Sequence, residues 1–220
     1  MKRIVFTVLI ASVSLMSCGG EQTLENESIS NLKEQVRSDN SLETQDLLRE
    51  NSVLLIEEVI EEFKTCKAAT KTKHSCKDFV AKAICKYYNI DDFKNQGNYD
   101  SLDLNEFIDY DDIFDRIDSN KYWSKLGMAN NQDVLDKAQE NANKGIATLA
   151  IDVAKNNKTV VLIVKGKQIK SGKWGVSCPA SAALNASKPT KSFVGKTLNY
   201  SFSSPENITL YTRHNSLIRE

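Results

Sequence analysis

The sequence predicts an α+β domain, because helical spacing dominates its first part and strand-like runs its last part. Up to Lys144, apolar residues recur three and four positions apart, which is the spacing of one helix face. After Gly145, short apolar runs at 146–151 and 160–164 are separated by turn-forming residues. We therefore expect N-terminal helices that pack on a C-terminal antiparallel β-sheet with the order of a meander.

The first residues have the features of a bacterial lipoprotein signal peptide. Lys2 and Arg3 precede a largely apolar run at 4–16, and small residues surround Cys18. This run is shorter than the roughly 20 apolar residues that a membrane-spanning helix needs. We expect residues 1–17 to be a signal peptide and Cys18 to carry acyl chains, which would anchor the protein to a membrane of the cell envelope. A plain secretory signal with a chance cysteine is the alternative.

The rest of the chain divides into a tether and one domain. Residues 18–40 are polar and poor in aromatic side chains, as flexible tethers are, and residues 41–220 are long enough to form one core. In a host with two membranes, the lack of an aspartate directly after Cys18 favours the outer membrane, by analogy with lipoprotein sorting in some bacteria.

Four regions of this domain have helical spacing. Ser75 is a suitable N-cap for the second helix, and Gly145 is a suitable C′ residue for the last. In the first helix, the apolar residues are expected to face the core and the acidic residues to face solvent. Helices are expected over residues 42–63, over 76–90, once or twice within 104–117, and over 132–144. The apolar face of the first comprises Leu47, Leu48, Leu54, Leu55, Val59 and Phe63.

The strand-like runs come after these helices. They are rich in β-branched and aromatic residues and are bounded by asparagine, glycine and proline, which favour turns. Strands are expected at residues 146–151, 160–164, 193–194, 198–202 and 208–211.

Charge is unevenly distributed along the chain. Residues 151–220 contain 11 Lys and Arg against 3 Asp and Glu, whereas residues 18–150 contain 16 against 26. Such a split is typical of a C-terminal surface that meets an anionic polymer, or of two halves that neutralise each other within one domain. No basic run is interleaved with aromatic residues, so nucleic acid is not an expected partner.

Four cysteines follow Cys18, and their pairing stays open at this point. Cys76 and Cys85 would lie about 13 Å apart on one helix, which is beyond the reach of a disulfide. In an oxidising compartment one or two bridges can form, and a pairing among Cys66, Cys85 and Cys178 would leave Cys76 free.

The sequence predicts neither a metal site nor a cofactor. His74 and His214 lie in no metal-ligand pattern with the cysteines. The aspartates between residues 109 and 118 lack the glycine-centred spacing of a calcium loop, and we expect them on a solvated surface.

Several segments carry a family resemblance through their order and spacing. They are Cys76-x-x-Phe79-Val80, Asp112-Ile113, Trp123-x-x-Leu126-Gly127, Ala142-Asn143-Lys144-Gly145, the run 160–164 with Gly166, and Ser171-Gly172-x-Trp174-Gly175 with Pro179. In this arrangement, over about residues 74–213, the chain resembles the CHAP and NlpC-type superfamily of papain-like cysteine peptidases and amidases, which cut peptidoglycan.

The resemblance implies a papain-like fold with Cys76 as the nucleophile at the start of a helix, where the helix dipole favours the thiolate. It also implies a histidine base just before the strand at residue 160. Thr159 holds that position, and threonine cannot accept a proton near neutral pH. His214 and His74 are the residues that would have to act as base instead.

The two tryptophans have two interpretations at this stage. Trp123 and Trp174 are expected in the hydrophobic core or in the wall of a ligand groove, where they would stack on glycan.

The sequence therefore favours a lipid-anchored envelope protein with a peptidase-like scaffold that binds peptidoglycan or a stem peptide but has lost catalysis, that is, a pseudoenzyme. One alternative is an active cysteine amidase or peptidase that uses His214 or His74 as its base. Another is a protein-interaction module, such as an immunity-like or adaptor lipoprotein, that has a protein partner.

Overall fold

The α+β class is confirmed by the computed structural model, which describes residues 53–69, 76–95, 106–154 and 159–214. All of these residues belong to one unit, Leu47–Glu220. The expected signal peptide, Cys18, the tether and His74 lie outside the described residues. The helices are α1 over residues 53–69, α2 over Phe79–Tyr88, α3 over Ile113–Ser119 and α4 over Gln132–Asn143.

Helix α1 packs through a face that differs in part from the expected one. Leu54 and Leu55, expected in the core, are exposed, and Leu54 keeps 54% of its surface. The buried residues of α1 are Ile56, Val59, Ile60 and Phe63. Leu54 is wrong as a core residue because two positions turn a helix by about 200°, which places Leu54 opposite Ile56. The helix also continues past its expected end at residue 63, because no glycine or proline interrupts it before residue 69.

Helix α2 begins later than expected. Its first residue is Phe79 and its N-cap is Asp78, so Cys76 precedes the helix instead of opening it. Ser75, the expected cap, lies outside the described residues. The helix is fastened to the sheet by Tyr88, whose hydroxyl is hydrogen-bonded to the carbonyl of Ile163 and lies 3.0 Å from that of Thr148.

The region expected to hold one or two helices forms a 3₁₀ turn, Tyr110–Asp112, followed by helix α3. Ile113 and Ile117 are the buried residues of α3. Asp112, Asp115 and Asp118 are exposed, as expected of a solvated surface.

Helix α4 has both ends that the sequence predicts. At its start the Asn131 side chain accepts a hydrogen bond from the backbone N–H of Asp133 at 2.9 Å. At its end Gly145 adopts φ 77°, and the N–H groups of Gly145 and Ile146 bond to the carbonyls of Ala142 and Asn141. This is a Schellman motif, in which glycine takes the left-handed position without steric cost.

The sheet is antiparallel but is not a meander. Its six strands lie in the order β1-β8-β2-β3-β6-β7, so the last strand of the chain inserts between the first two. A short ribbon, β4 with β5, lies apart from it. The meander prediction is wrong because β8 pairs with both β1 and β2 along its length. The strands are β1 Trp123–Met128, β2 Thr148–Asp152, β3 Val160–Ile163, β4 Ile169–Lys170, β5 Ser177–Cys178, β6 Ala180–Ala183, β7 Phe193–Thr197 and β8 Ile208–Arg213.

Four strands of the structure, β1, β4, β5 and β6, were not predicted from the sequence, and one predicted strand does not form. Strand β1 also precedes α4, so the strands do not all follow the helices as expected. Strand β6 was not expected, because Ala-Ser-Ala-Ala has weak strand propensity; it forms through pairing with β3 and β7. The strand expected over 198–202 is wrong, since Leu198–Tyr200 forms a 3₁₀ turn. Leu198 is nevertheless fully buried, so the apolar character of this segment serves packing.

Helices cover both faces of the sheet. Leu149 and Ile151 of β2 pack in the cluster that holds α1, α2 and α3, whereas Ala150 packs in the cluster that holds α4. Every residue of β2 and β3 is therefore buried. This explains why these strands have continuous apolar runs instead of an alternating pattern.

A partly buried ion pair ties the loop after α2 to the sheet. Asp92 accepts hydrogen bonds from the Arg213 guanidinium at 2.8 and 3.0 Å and from the Trp123 indole N–H at 2.7 Å. The Asp92 side chain is 9% exposed. A carboxylate with three donors from β1 and β8 holds the edge of the sheet against the helical layer.

Within the described ranges, no helix has the length and apolar character needed to cross a bilayer. The same ranges contain no group of three or more His, Cys, Asp or Glu side chains suited to a metal ion.

Candidate functional site

A cavity of about 800 Å³ lies where the α1–α2 layer meets the β3, β6 and β7 side of the sheet. Its volume is in the range of about 300–1,000 Å³ that is usual for ligand pockets. Phe63 and Val80 line it from the helices, and Val160 and Leu184 from the sheet side. Cys76 and Thr159, the two positions that the resemblance relates, both line this cavity.

Cys76 reaches the cavity wall as one half of a disulfide. Its sulfur is bonded to Cys66 of α1, with the two Cα atoms 6.1 Å apart. Cys76 has φ 67°, a left-handed conformation at the point where the chain turns into α2. A sulfur in a disulfide is not a thiolate nucleophile. In this state Cys76 cannot carry out the attack that the resemblance implies.

The possible pairing among Cys66, Cys85 and Cys178 is not the one observed. Cys85 and Cys178 are both buried free thiols. They belong to the hydrophobic clusters on opposite faces of the sheet, so they cannot reach each other. Burial raises the pKa of the Cys85 thiol to about 11 and also raises that of Cys178. Both behave as small apolar core residues.

The segment that contains Cys76 is held from the other side by the 3₁₀ turn. The Tyr110 N–H donates to the Lys77 carbonyl at 3.0 Å, and the Lys77 ammonium lies 2.5 Å from an Asp111 carboxylate oxygen. The hydrogen bond to Asp111 raises the pKa of Lys77, so this contact stabilises the charged form of the lysine. The disulfide and this turn together fix one wall of the cavity.

Thr159 is half-buried at the start of β3 and is placed by the sheet. Its carbonyl accepts a hydrogen bond from the Asp152 N–H at 3.1 Å, which continues the β2–β3 ladder. The threonine hydroxyl is not a base near neutral pH. The structure therefore brings residues 76 and 159 to one cavity, and the described residues that line it include no histidine or carboxylate that could accept a proton.

His214 does not supply that acceptor. On β8, Ile208 is paired with Asp152, next to the Thr159 end of β3. His214 follows the other end of β8, and six positions along a strand span about 20 Å. It is exposed, and its backbone N–H donates to Tyr122 at 2.7 Å.

Neither tryptophan lines the cavity. Trp123 is 7% exposed and donates its indole N–H to Asp92, and Trp174 is 9% exposed within the cluster beside α4. The core interpretation is therefore correct for both, and the groove-wall interpretation is wrong for this cavity.

Sequence reasoning missed the charged residues of the site. The described lining includes three lysines, Lys188, Lys191 and Lys196, and no carboxylate. They come from the loop between β6 and β7 and from β7 itself. The excess of positive charge after residue 150 was the available signal, but it did not indicate which lysines share a cavity.

No protein-family model matches this chain, and no curated protein is significantly similar to it.

Proposed function

We propose that this protein is a lipid-anchored component of the bacterial cell envelope whose cavity binds peptidoglycan stem peptides without cleaving them. Cys18 would hold the chain at a membrane, the outer one in a host with two, and residues 18–40 would let the domain reach the wall. The domain would be a papain-like scaffold that retains a binding cleft but has no catalytic activity.

The observation that carries this proposal is the state of the two positions at the cavity. Cysteine catalysis needs a thiolate and a base that first removes and then returns a proton. Cys76 is bonded to Cys66, and Thr159 stands where the resemblance implies a histidine. Loss of either partner typically reduces the rate by several orders of magnitude. Binding does not depend on these groups, because a cavity of ligand size remains.

The arrangement of elements supports the papain-like part of the proposal. Cys76 precedes a helix that packs on an antiparallel sheet, and the strand that begins after Thr159 is central in that sheet. This is the order that the resemblance implies.

The test is incubation of the purified protein, kept in mild detergent, with isolated sacculi. We expect the protein to sediment with the sacculi and to release no soluble fragments, with or without a thiol reductant. Release of fragments by the wild type that Cys76→Ala abolishes would overturn the non-catalytic part of the proposal. Failure to sediment would overturn the peptidoglycan part and favour a protein-interaction module.

A designed variant makes the catalytic argument sharper. Cys66→Ala with Thr159→His frees the Cys76 thiol and places an imidazole at the cavity. If the missing thiolate and the missing base account for the lack of activity, this variant should cleave sacculi slowly, whereas Cys66→Ala alone should not. Equal activity of the two variants would show that residue 159 is not the missing base position.

A further inference from the structure

The lysines at the cavity are not paired with the acidic residues that the structure describes. Lys188, Lys191 and Lys196 form no ion pair with any described residue. The lysines that do pair with acids within the described ranges all belong to residues before 150. These pairs are Lys64–Glu61, Lys77–Asp111, Lys82–Glu62, Lys94 with Asp91 and Glu106, and both Lys137 and Lys144 with Glu140.

Only one described ion pair joins the two differently charged parts of the chain, Arg213 with Asp92. Of the two interpretations of the charge split, mutual neutralisation is therefore not what these contacts show. Among the described residues, Lys188, Lys191 and Lys196 keep their positive charge available to an external anion.

The loop that carries these lysines is held in one shape by its own hydrogen bonds. The Asn185 side chain accepts from the Lys188 N–H at 2.7 Å, and the Ser192 hydroxyl accepts from the Asn185 N–H at 3.0 Å. Pro189 opens the 3₁₀ turn that follows, where its fixed φ is favourable. A loop closed in this way loses little conformational entropy when a ligand binds.

Lys196 is positioned by aromatic rings. Its ammonium lies 5.4 Å from the ring centre of Phe193 and 5.3 Å from that of Tyr200. Cation–π contacts of this length hold the ammonium near the cavity without removing its charge. Both rings belong to residues that also line the cavity.

Part of the cavity lining is apolar. Phe63, Val160 and Leu184 contribute hydrocarbon to the lining, next to the hydroxyl-bearing residues Tyr110 and Thr190. An inorganic anion would leave this hydrocarbon without contact. A peptide that combines carboxylates with small apolar side chains would satisfy both parts of the lining, since apolar burial and charge pairing act on different parts of it.

We propose that Lys188, Lys191 and Lys196, here named the lysine rim, bind the carboxylates of an acidic peptide whose apolar part lies against Phe63, Val160 and Leu184. This inference rests on the proposed function for its choice of cavity and gives the chemical class of the ligand. The carboxylate groups of the peptide, and not its glycan context, are the recognised feature.

The experiment is calorimetric titration of the purified protein with three synthetic peptides. These are a stem peptide with free carboxylates, the same peptide with its carboxylates amidated, and an unrelated alanine–glutamate peptide of equal charge. The variant is Lys188→Gln/Lys191→Gln/Lys196→Gln. The matched control, Lys167→Gln/Lys170→Gln/Lys173→Gln, removes three exposed charges from the same part of the chain but none from the cavity.

We expect the rim variant to bind the free-carboxylate stem peptide about tenfold or more weakly, because three rim contacts each contribute modestly. The control should change the affinity by less than about threefold, through long-range screening alone. The proposed role of the lysine rim would be overturned if both variants lost the same affinity for the stem peptide. It would also be overturned if the wild type bound the amidated peptide as tightly as the free-carboxylate peptide. Thermal unfolding of both variants confirms that they fold.

The outcomes separate this inference from the proposed function. If the rim variant sediments with sacculi to the same extent as the wild type, the proposed role of the lysine rim is wrong and the proposed function stands. If the alanine–glutamate peptide binds through the rim and the stem peptide does not bind, the rim stands and the proposed ligand is wrong.

Discussion

Reduction of the Cys66–Cys76 disulfide should destabilise the domain. The size of this effect depends on the number of residues between the two cysteines. The bridge closes a loop with a sequence separation of 10. The closure entropy that it removes from the unfolded chain corresponds to about 2.7 kcal/mol at 25 °C for such a loop. For a domain of this size, that loss lowers the unfolding midpoint by roughly 5–10 °C.

The assay is thermal unfolding followed by circular dichroism, with and without a phosphine reductant. The reductant should lower the midpoint of the wild type to that of Cys66→Ala/Cys76→Ala and should leave the midpoint of that double variant unchanged. Peptide mapping of the unreduced protein should recover the two cysteines as one linked peptide pair. An unchanged wild-type midpoint in reductant, together with a free Cys76 thiol in the peptide map, would refute the Cys66–Cys76 disulfide. It would also refute the explanation that this disulfide keeps Cys76 from acting as a nucleophile.

Three further predictions concern the core, the Asp92–Arg213 ion pair and the thiols. Ile56→Ala should cost about 2–4 kcal/mol of unfolding free energy because Ile56 is 1% exposed, whereas Leu54→Ala at 54% exposure should change it by less than about 0.5 kcal/mol; denaturant titration compares them. Asp92→Ala should cost about 1–3 kcal/mol by the same titration, since it leaves the partly buried Arg213 guanidinium and the Trp123 indole N–H without their acceptor. Cys85, with a pKa raised to about 11, should resist iodoacetamide in the folded protein at about pH 8 and react after unfolding, as mass spectrometry of its peptide would show; rapid labelling of the folded protein would contradict its burial.

The predictions that came true are those that depend on local chemistry. The α4 helix was predicted over residues 132–144 with Gly145 at C′, and it forms over Gln132–Asn143 with Gly145 at φ 77°, because capping depends on a few neighbouring backbone groups. The apolar runs predicted at 146–151 and 160–164 form strands over Thr148–Asp152 and Val160–Ile163, because short apolar segments bounded by turn-forming residues favour the extended conformation.

By itself, then, the sequence determined the α+β class and the type of most elements. The tertiary structure alone decided that β8 lies between β1 and β2, that Cys66 pairs with Cys76, and that three lysines line the cavity. Each of these depends on contacts between residues distant along the chain or on the course of a loop. Composition and periodicity describe which surfaces must be buried or solvated, whereas partner choice depends on the energies of packing all elements together.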